Sequence, residues 1–160
     1  NDSVLYNKLD NQIEIINMDI KDLKNSYTND SIDVITCNPP YFKYIESSNI
    51  NLDIHKVIAR HEKMITLEEI VSISNYLLKN NGVLAMVHRT DRLIEIISLF
   101  QKYGLEVKKL RFIYPKVNSE SNMILIEGRK NGNTGLKILP PLYVHNEDGS
   151  YTDEVLKMFE

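Results

Sequence analysis

The sequence predicts an α/β fold built on a largely parallel sheet. Three observations carry that expectation. Apolar runs from Ile32 to Cys37 and from Val83 to His88 have the length of buried strands and are bounded by turn residues. The stretches opening at Thr66 and Thr90 repeat apolar residues at helical spacing. The resulting order of strand, helix, strand, helix, strand is that of parallel α/β units.

Taken in order, Asn1 to Asn11 reads as the end of a helix, and Ile13-Glu14-Ile15-Ile16-Asn17 alternates weakly, as a strand would. The strand from Ile32 stops at Pro39 and Pro40, which offer no ladder donor. A polar stretch then runs to Ile65, long for a connection. Thr66 with Glu69 forms a capping box. Leu67, Ile70, Val71, Ser74, Leu77 and Leu78 then share one helical face, and Asn80-Asn81-Gly82 is expected to end the helix. After the strand from Val83, Thr90-Asp91 starts a helix with Leu93, Ile94, Ile97 and Phe100 turned inward, and Gly104 stops it. From Leu105 to Tyr114 the apolar phase changes: Leu105 and Val107 are odd-numbered, while Leu110, Phe112 and Tyr114 are even, which predicts a bulge near Lys108. Met123-Ile124-Leu125-Ile126 follows a polar loop too short for a helical crossover, so these two strands should be antiparallel. Leu142 to His145 is a further short strand, Glu147-Asp148-Gly149 turns, and Thr152 caps a short last helix.

The bulk numbers fit one soluble globular domain: 160 residues, 42% hydrophobic and 26% charged. No apolar run approaches membrane-spanning length and no secretory signal is visible. One cysteine, inside a strand, excludes an internal disulfide and suits the cytoplasm. The four histidines show no ligand spacing, so no metal site is expected. Net charge is -3, yet Lys102 to Lys137 holds eight Lys or Arg against three Glu. That local excess could meet phosphates or simply be a solvated strand face.

Chemistry concentrates in Asn38-Pro39-Pro40-Tyr41-Phe42 at the end of the first buried strand. The prolines make the backbone stiff, extended and donor-poor, with carbonyls free to point outward. Asn38 adds a side-chain acceptor, and Tyr41 and Phe42 add flat faces on which a base can stack. Two acceptors beside a stacking ring suit an exocyclic amino group on a planar heterocycle. Pro140-Pro141 is an internal control: it sits in Leu139-Pro140-Pro141-Leu142 with no amide or aromatic at the matching positions. A proline pair alone is therefore weak; the strand, Asn38 and Tyr41 carry the signal.

Asn38-Pro39-Pro40-Tyr41 after a hydrophobic strand resembles the catalytic motif of S-adenosylmethionine-dependent amino-methyltransferases, which modify adenine N6 or, in a related branch, a glutamine amide. Ile58-Ala59-Arg60-His61-Glu62 and Gly149-Ser150-Tyr151-Thr152 extend the resemblance to the bacterial tRNA adenine-N6 methyltransferase family that acts on valine tRNA. The resemblance implies a Rossmann-like sheet of order 3-2-1-4-5-7-6, closed by an antiparallel hairpin, with S-adenosyl-L-methionine as cofactor and RNA, most plainly tRNA, as partner. It also implies site residues: Asn38, Pro39, Pro40 and Tyr41 for catalysis, and Asp19, Ile20 and Asn38 for the cofactor. Tyr41, Phe42, Arg60, His61, Lys116, Asn118 and Asn122 would hold the substrate. Asp19 is equally well read as a turn or cap residue.

A glycine-rich loop after the first strand is expected of this fold. None of the six glycines precedes the Asn-Pro-Pro-Tyr motif. The expectation is thus a partial domain over residues 1–160 that lacks the first strand, the glycine loop and the second strand. Ile13–Asn17 would then be strand three and Ile32–Cys37 strand four, unpaired with each other. Two rivals remain: a protein glutamine-amide methyltransferase, and a non-catalytic RNA-binding module.

Overall fold

In a computed structural model of the chain, residues 2–39 and 65–159 are described. They form a six-stranded sheet with helices packed on one face. The strands are β1 (Ile32–Cys37), β2 (Leu78–Arg89), β3 (Leu105–Tyr114), β4 (Met123–Lys130), β5 (Lys137–Ile138) and β6 (Leu142–Tyr143). The helices are α1 (Asp2–Tyr6), α2 (Leu23–Ser26), α3 (Leu67–Leu77), α4 (Leu93–Lys102) and α5 (Asp153–Leu156). Strand order is β1-β2-β4-β3-β5, with β6 also on β3. The run β1-β2-β4-β3 is the 4-5-7-6 half of the expected order. The sheet is not closed: β5 and β6 continue along the outer edge of β3.

Direction follows from register. β2 is parallel to β1 and antiparallel to β4, and β4 is antiparallel to β3. The carboxyl ends of β1, β2 and β3 therefore share one end of the sheet. The bulge expected near Lys108 is present: Val107 faces Gly128 and Lys109 faces Glu127, so Lys108 is the extra residue. It swaps faces, sending Leu110 to the core and Lys109 outward.

One face is dry. Ile70 and Val71 of α3 and Ile96 and Phe100 of α4 pack on Leu84, Met86, Leu110, Ile124 and Ile126. Each such side chain contributes about 1.5–3 kcal/mol on burial. The opposite face is open, with Val34 59% exposed and Leu125 38% exposed.

Four local expectations are corrected. Ile13 to Asn17 forms no strand; Ile13, Ile15 and Ile16 are exposed, because no neighbouring strand offers them a ladder. It makes no pairing with β1, and among the described residues β1 has a strand on one side only. α3 ends at Leu77, before Asn80-Asn81-Gly82, which instead forms an irregular start to β2 with Asn81 at φ 64°. Its last carbonyls are capped by other elements. Asp30 N–H donates to Tyr76 O at 3.1 Å and Ser31 N–H to Leu77 O at 2.9 Å. Lys130 Nζ donates to Asn75 O at 2.6 Å and Leu78 O at 2.9 Å. In α4, Ile96 takes the core position and Ile94 is 76% exposed. A 3-10 turn over Thr90–Arg92 precedes α4 and sets its phase. The expected closing role of the hairpin is the fourth correction, given above.

The other terminators act as read. Thr66 and Glu69 form the capping box, Gly104 ends α4 at φ 69°, and Thr152 caps α5.

Candidate active site

Asn38 and Pro39 lie at the carboxyl end of β1, where the ladder with β2 has just ended at the pair Cys37–Met86. Along β1, Ile35 and Cys37 turn toward the core, and Val34 and Thr36 toward the open face. Asn38 continues the open-face series and is exposed, whereas Pro39 is buried. Burial pushes the Cys37 thiol above its ordinary range, so no thiolate competes beside Asn38. Asn38 and Thr36 line an open cleft of about 700 Å³ on the uncovered sheet face, floored by Ala85 and Val87. Its far side carries Lys109, Arg111 and Glu127.

The loop from Pro115 to Asn122 joins β3 to β4 at this same end of the sheet. It is tied to the end of β2: Thr90 N–H donates to Asn122 O at 3.1 Å, and Thr90 Oγ1 and Ser121 Oγ are 3.1 Å apart. Ser119 Oγ braces the loop by donating to Lys116 O, and Asn118 sits at φ 61°. Lys116, Asn118 and Asn122 are exposed. Two strand spacings of about 4.8 Å put β4, and with it Asn122, about 10 Å across from β1. The three loop residues do not line the cleft that Asn38 enters.

Asp19 and Ile20 are placed elsewhere. Asp19 caps the 3-10 turn Ile20–Asp22, accepting from Lys21 N–H at 3.0 Å, and Ile20 packs against the core. Lys21 pairs with Glu69 at 3.3 Å, which seats this turn against the start of α3. Neither Asp19 nor Ile20 lines the cleft. Pro40, Tyr41, Phe42, Arg60 and His61 lie outside the described residues.

Four of the eight basic residues from Lys102 to Lys137 are held in ion pairs within the fold. Lys102 meets Glu68, Lys109 meets Glu127, Arg111 meets Glu154 and Lys130 meets Asp30. The stretch is therefore no continuous basic patch. His88, near the end of β2, is buried at 1% exposure, and its Nδ1 accepts from Arg89 N–H at 2.8 Å. The only sequence signal for it is a histidine closing an apolar strand. Among the described residues no group of three His, Cys, Asp or Glu could hold a metal ion. No helix among them is long and apolar enough to cross a membrane.

Residues 4–109 match the model of the family described as "RMKL-like, methyltransferase domain" (UPF0020). The chain belongs to this methyltransferase-domain family. A curated relative from Porphyromonas gingivalis, named tRNA1(Val) (adenine(37)-N6)-methyltransferase, is 30% identical over 154 residues. That match covers 93% of this chain and 59% of the relative. A relative of the same name from Aeromonas hydrophila is 25% identical, covering 79% of this chain and 51% of its own length. The chain thus spans between half and two thirds of the length of these proteins. Among solved structures, "a predicted O-methyltransferase" from Agrobacterium tumefaciens superposes with a TM-score of 0.73 at 15% identity. It covers 98% of this chain and 68% of that one, so the family member shares its Rossmann-like methyltransferase fold.

Proposed function

We propose that the chain carries the amino-group end of the active site of an S-adenosyl-L-methionine-dependent methyltransferase, and that the acceptor is adenine N6 in RNA, in the first instance tRNA. The observation that carries this reading is the seat of Asn38-Pro39 at the carboxyl end of a parallel strand, in a chain of a methyltransferase family. Ligands of open α/β sheets lie beyond that end. The names of the relatives support the choice of adenine and tRNA.

Asn38 Oδ1 accepts one N–H of the amino group, and a carbonyl of the donor-poor segment beside it accepts the other. Both bonds favour a pyramidal nitrogen, whose lone pair is otherwise spread into the ring. Both also strengthen as the nitrogen becomes cationic, to about 1.5–3 kcal/mol each. The cation sheds its proton readily, so the site needs no strong base. S-adenosyl-L-methionine, when bound, supplies an electrophilic methyl group. The fit to this group rests on Asn38 at the carboxyl end of β1, the end of the sheet beyond which such ligands lie. Asn38 would border it; Asp19 and Ile20, which lie away from the open-face cleft, are further candidates by the family resemblance alone. We assign the glycine-rich wall to polypeptide outside these 160 residues. Tyr41 and Phe42 are assigned to stacking, Arg60 and His61 to positioning, and Lys116, Asn118 and Asn122 to the RNA rim.

The test is methyl transfer to unmodified tRNA by the full-length protein and its Asn38→Ala variant. Turnover should fall about 10²–10³-fold, the scale for one preorganised polar group. Near-normal turnover in Asn38→Ala refutes the assignment. Transfer to a protein glutamine amide and not to RNA would overturn the substrate.

A further inference from the structure

Gly149-Ser150-Tyr151-Thr152 has no part in the chemistry above, yet the fold fixes it closely. Gly149, at φ 87°, serves the turn between His145 and Tyr151, which face each other in an antiparallel bridge. Ser150 N–H and Oγ–H donate to Asp148 Oδ1 at 2.9 and 2.6 Å. Asn146 Nδ2 donates to Ser150 Oγ at 3.0 Å and to Tyr151 O at 3.1 Å. Thr152 Oγ1 donates to Tyr143 O at 2.7 Å and accepts from Val155 N–H, capping α5. The polar groups of the segment are thus spent on the turn. The Tyr151 side chain is the exception: its hydroxyl has no hydrogen-bond partner among the described residues, and the residue is 49% exposed.

The Tyr151 ring is held by other rings. It stacks on the His145 imidazole, with centroids 4.9 Å apart at 23°, and meets Phe159 at 6.3 Å and 51°. His145 Nδ1 is buried without a hydrogen-bond partner among the described residues, so stacking sets the place of that ring too. Phe159, just past α5, is 77% exposed. This aromatic shelf stands at the carboxyl end of the sheet. Val144 N–H donates to Tyr114 O and His145 N–H to Pro115 O, both at 2.9 Å, so His145 is level with the start of the loop that carries Lys116. Four strand spacings of about 4.8 Å, from β1 through β2, β4 and β3 to β6, put the shelf about 19 Å across from β1. That is several nucleotides along a strand. Glu147 and Asp148 lie in the turn, Asp153 starts α5, and Glu154 is bound to Arg111. These carboxylates repel phosphate. What the shelf offers an RNA is therefore a face for a base, with the phosphates left to the exposed Lys116 on the adjoining loop.

We propose that Tyr151 and Phe159, backed by His145, form a second base-binding site: a stacking shelf for an unpaired nucleotide of the RNA, several positions from the acceptor adenine. This deepens the reading under Proposed function and rests on it. Every base has a π face, so the shelf selects an unpaired strand and not a sequence.

The test uses the full-length protein and unmodified tRNA, with Tyr151→Phe, Tyr151→Leu and Tyr151→Ala. Kd is read by filter binding against salt, and Tm is followed alongside. Transcripts with one abasic site, placed in turn at each unpaired position, locate the stacked base. Tyr151→Phe should bind within about twofold of the parent, because the hydroxyl is unused. Tyr151→Leu and Tyr151→Ala should both lose about 5-fold to 10²-fold, since leucine is apolar but has no π face. Their salt slope should stay that of the parent, because no phosphate contact is lost. One abasic position, other than the acceptor adenine, should cost the parent a similar factor and cost Tyr151→Ala nothing further. If Tyr151→Leu keeps the parent's Kd and Tm while Tyr151→Ala loses them, the ring packs against polypeptide and the proposal is wrong. Three variants within about twofold of the parent, a shallower salt slope, or the lack of such an abasic position also overturn it. A parent that methylates tRNA while all variants bind alike loses the shelf and keeps the function; a parent that neither binds nor methylates RNA loses both.

Discussion

Gly128 is the position where the hairpin under the site can be loaded most directly. It sits in β4, opposite Leu84 on one side and Val107 on the other, where the bulge of β3 begins. A Cβ built there would stand 2.5 Å from Phe100 Cε2 and 2.6 Å from Phe100 Cδ2. Phe100 is fully buried, so its ring has no solvent to move into. Relief of about 1 Å must come from the α4–sheet contact, and overpacking of this kind costs about 1–3 kcal/mol. For a domain of this size, that lowers Tm by roughly 2–12 °C. The assay is urea unfolding of the full-length protein, comparing Gly128→Ala with the Gly128→Ala/Phe100→Leu pair. The smaller leucine removes the clash, so the pair should be less destabilised than the sum of the single changes, a coupling of about 1 kcal/mol or more. Additive losses, or a Gly128→Ala variant within about 0.5 kcal/mol of the parent, would show that Phe100 is not what excludes a side chain here.

Lys130→Met should destabilise by about 1–3 kcal/mol in the same assay, because it leaves the carbonyls of Asn75 and Leu78 without their donor. A change below about 0.5 kcal/mol would mean that water replaces Lys130 without loss. Lys116→Glu should weaken tRNA binding, read as Kd against salt by filter binding. The salt slope should become shallower by about one phosphate contact. An unchanged slope takes Lys116 off the interface.

How far the sequence could be read depends on where each determinant lies. The capping box at Thr66 and the phase change at Lys108 were legible because each is decided within one stretch of chain. The end of α3 was not. Its carbonyls are met by Asp30, Ser31 and Lys130, residues far away in sequence, so no local stop signal was needed. Ile13 to Asn17 failed for the converse reason. Its alternation is adequate for a strand, but a strand exists only beside a partner. In α4, six apolar residues in the eight from Leu93 to Phe100 left the phase open, and tertiary packing chose Leu93, Ile96, Ile97, Leu99 and Phe100 over Ile94. Of the candidate site, the strand end at Asn38 and the loop between β3 and β4 were legible as structure.

The second proline pair bears on the first. Pro140-Pro141 falls between β5 and β6 and interrupts the ladder on β3, as a pair without N–H donors must. Its carbonyls turn outward and find a planar donor: Arg111 Nε donates to Pro140 O at 2.9 Å. Arg111 Nη2 also reaches Glu154, which ties α5 to the same point. A sheet edge that would otherwise be open is thereby blunted. The physical device, a donor-poor turn that presents carbonyls to flat N–H groups, is therefore used by this fold at a place with no chemistry. At Pro140-Pro141 the donor is the chain's own guanidinium and the outcome is structural. Asn38 and Leu139 both line the open cleft on the sheet face, but Asn38 stands at the carboxyl end of a parallel strand and adds an acceptor that Leu139 cannot supply. Under the proposed reading, the difference between a structural turn and an amino-group site lies in one amide side chain and in its place at the end of a parallel strand.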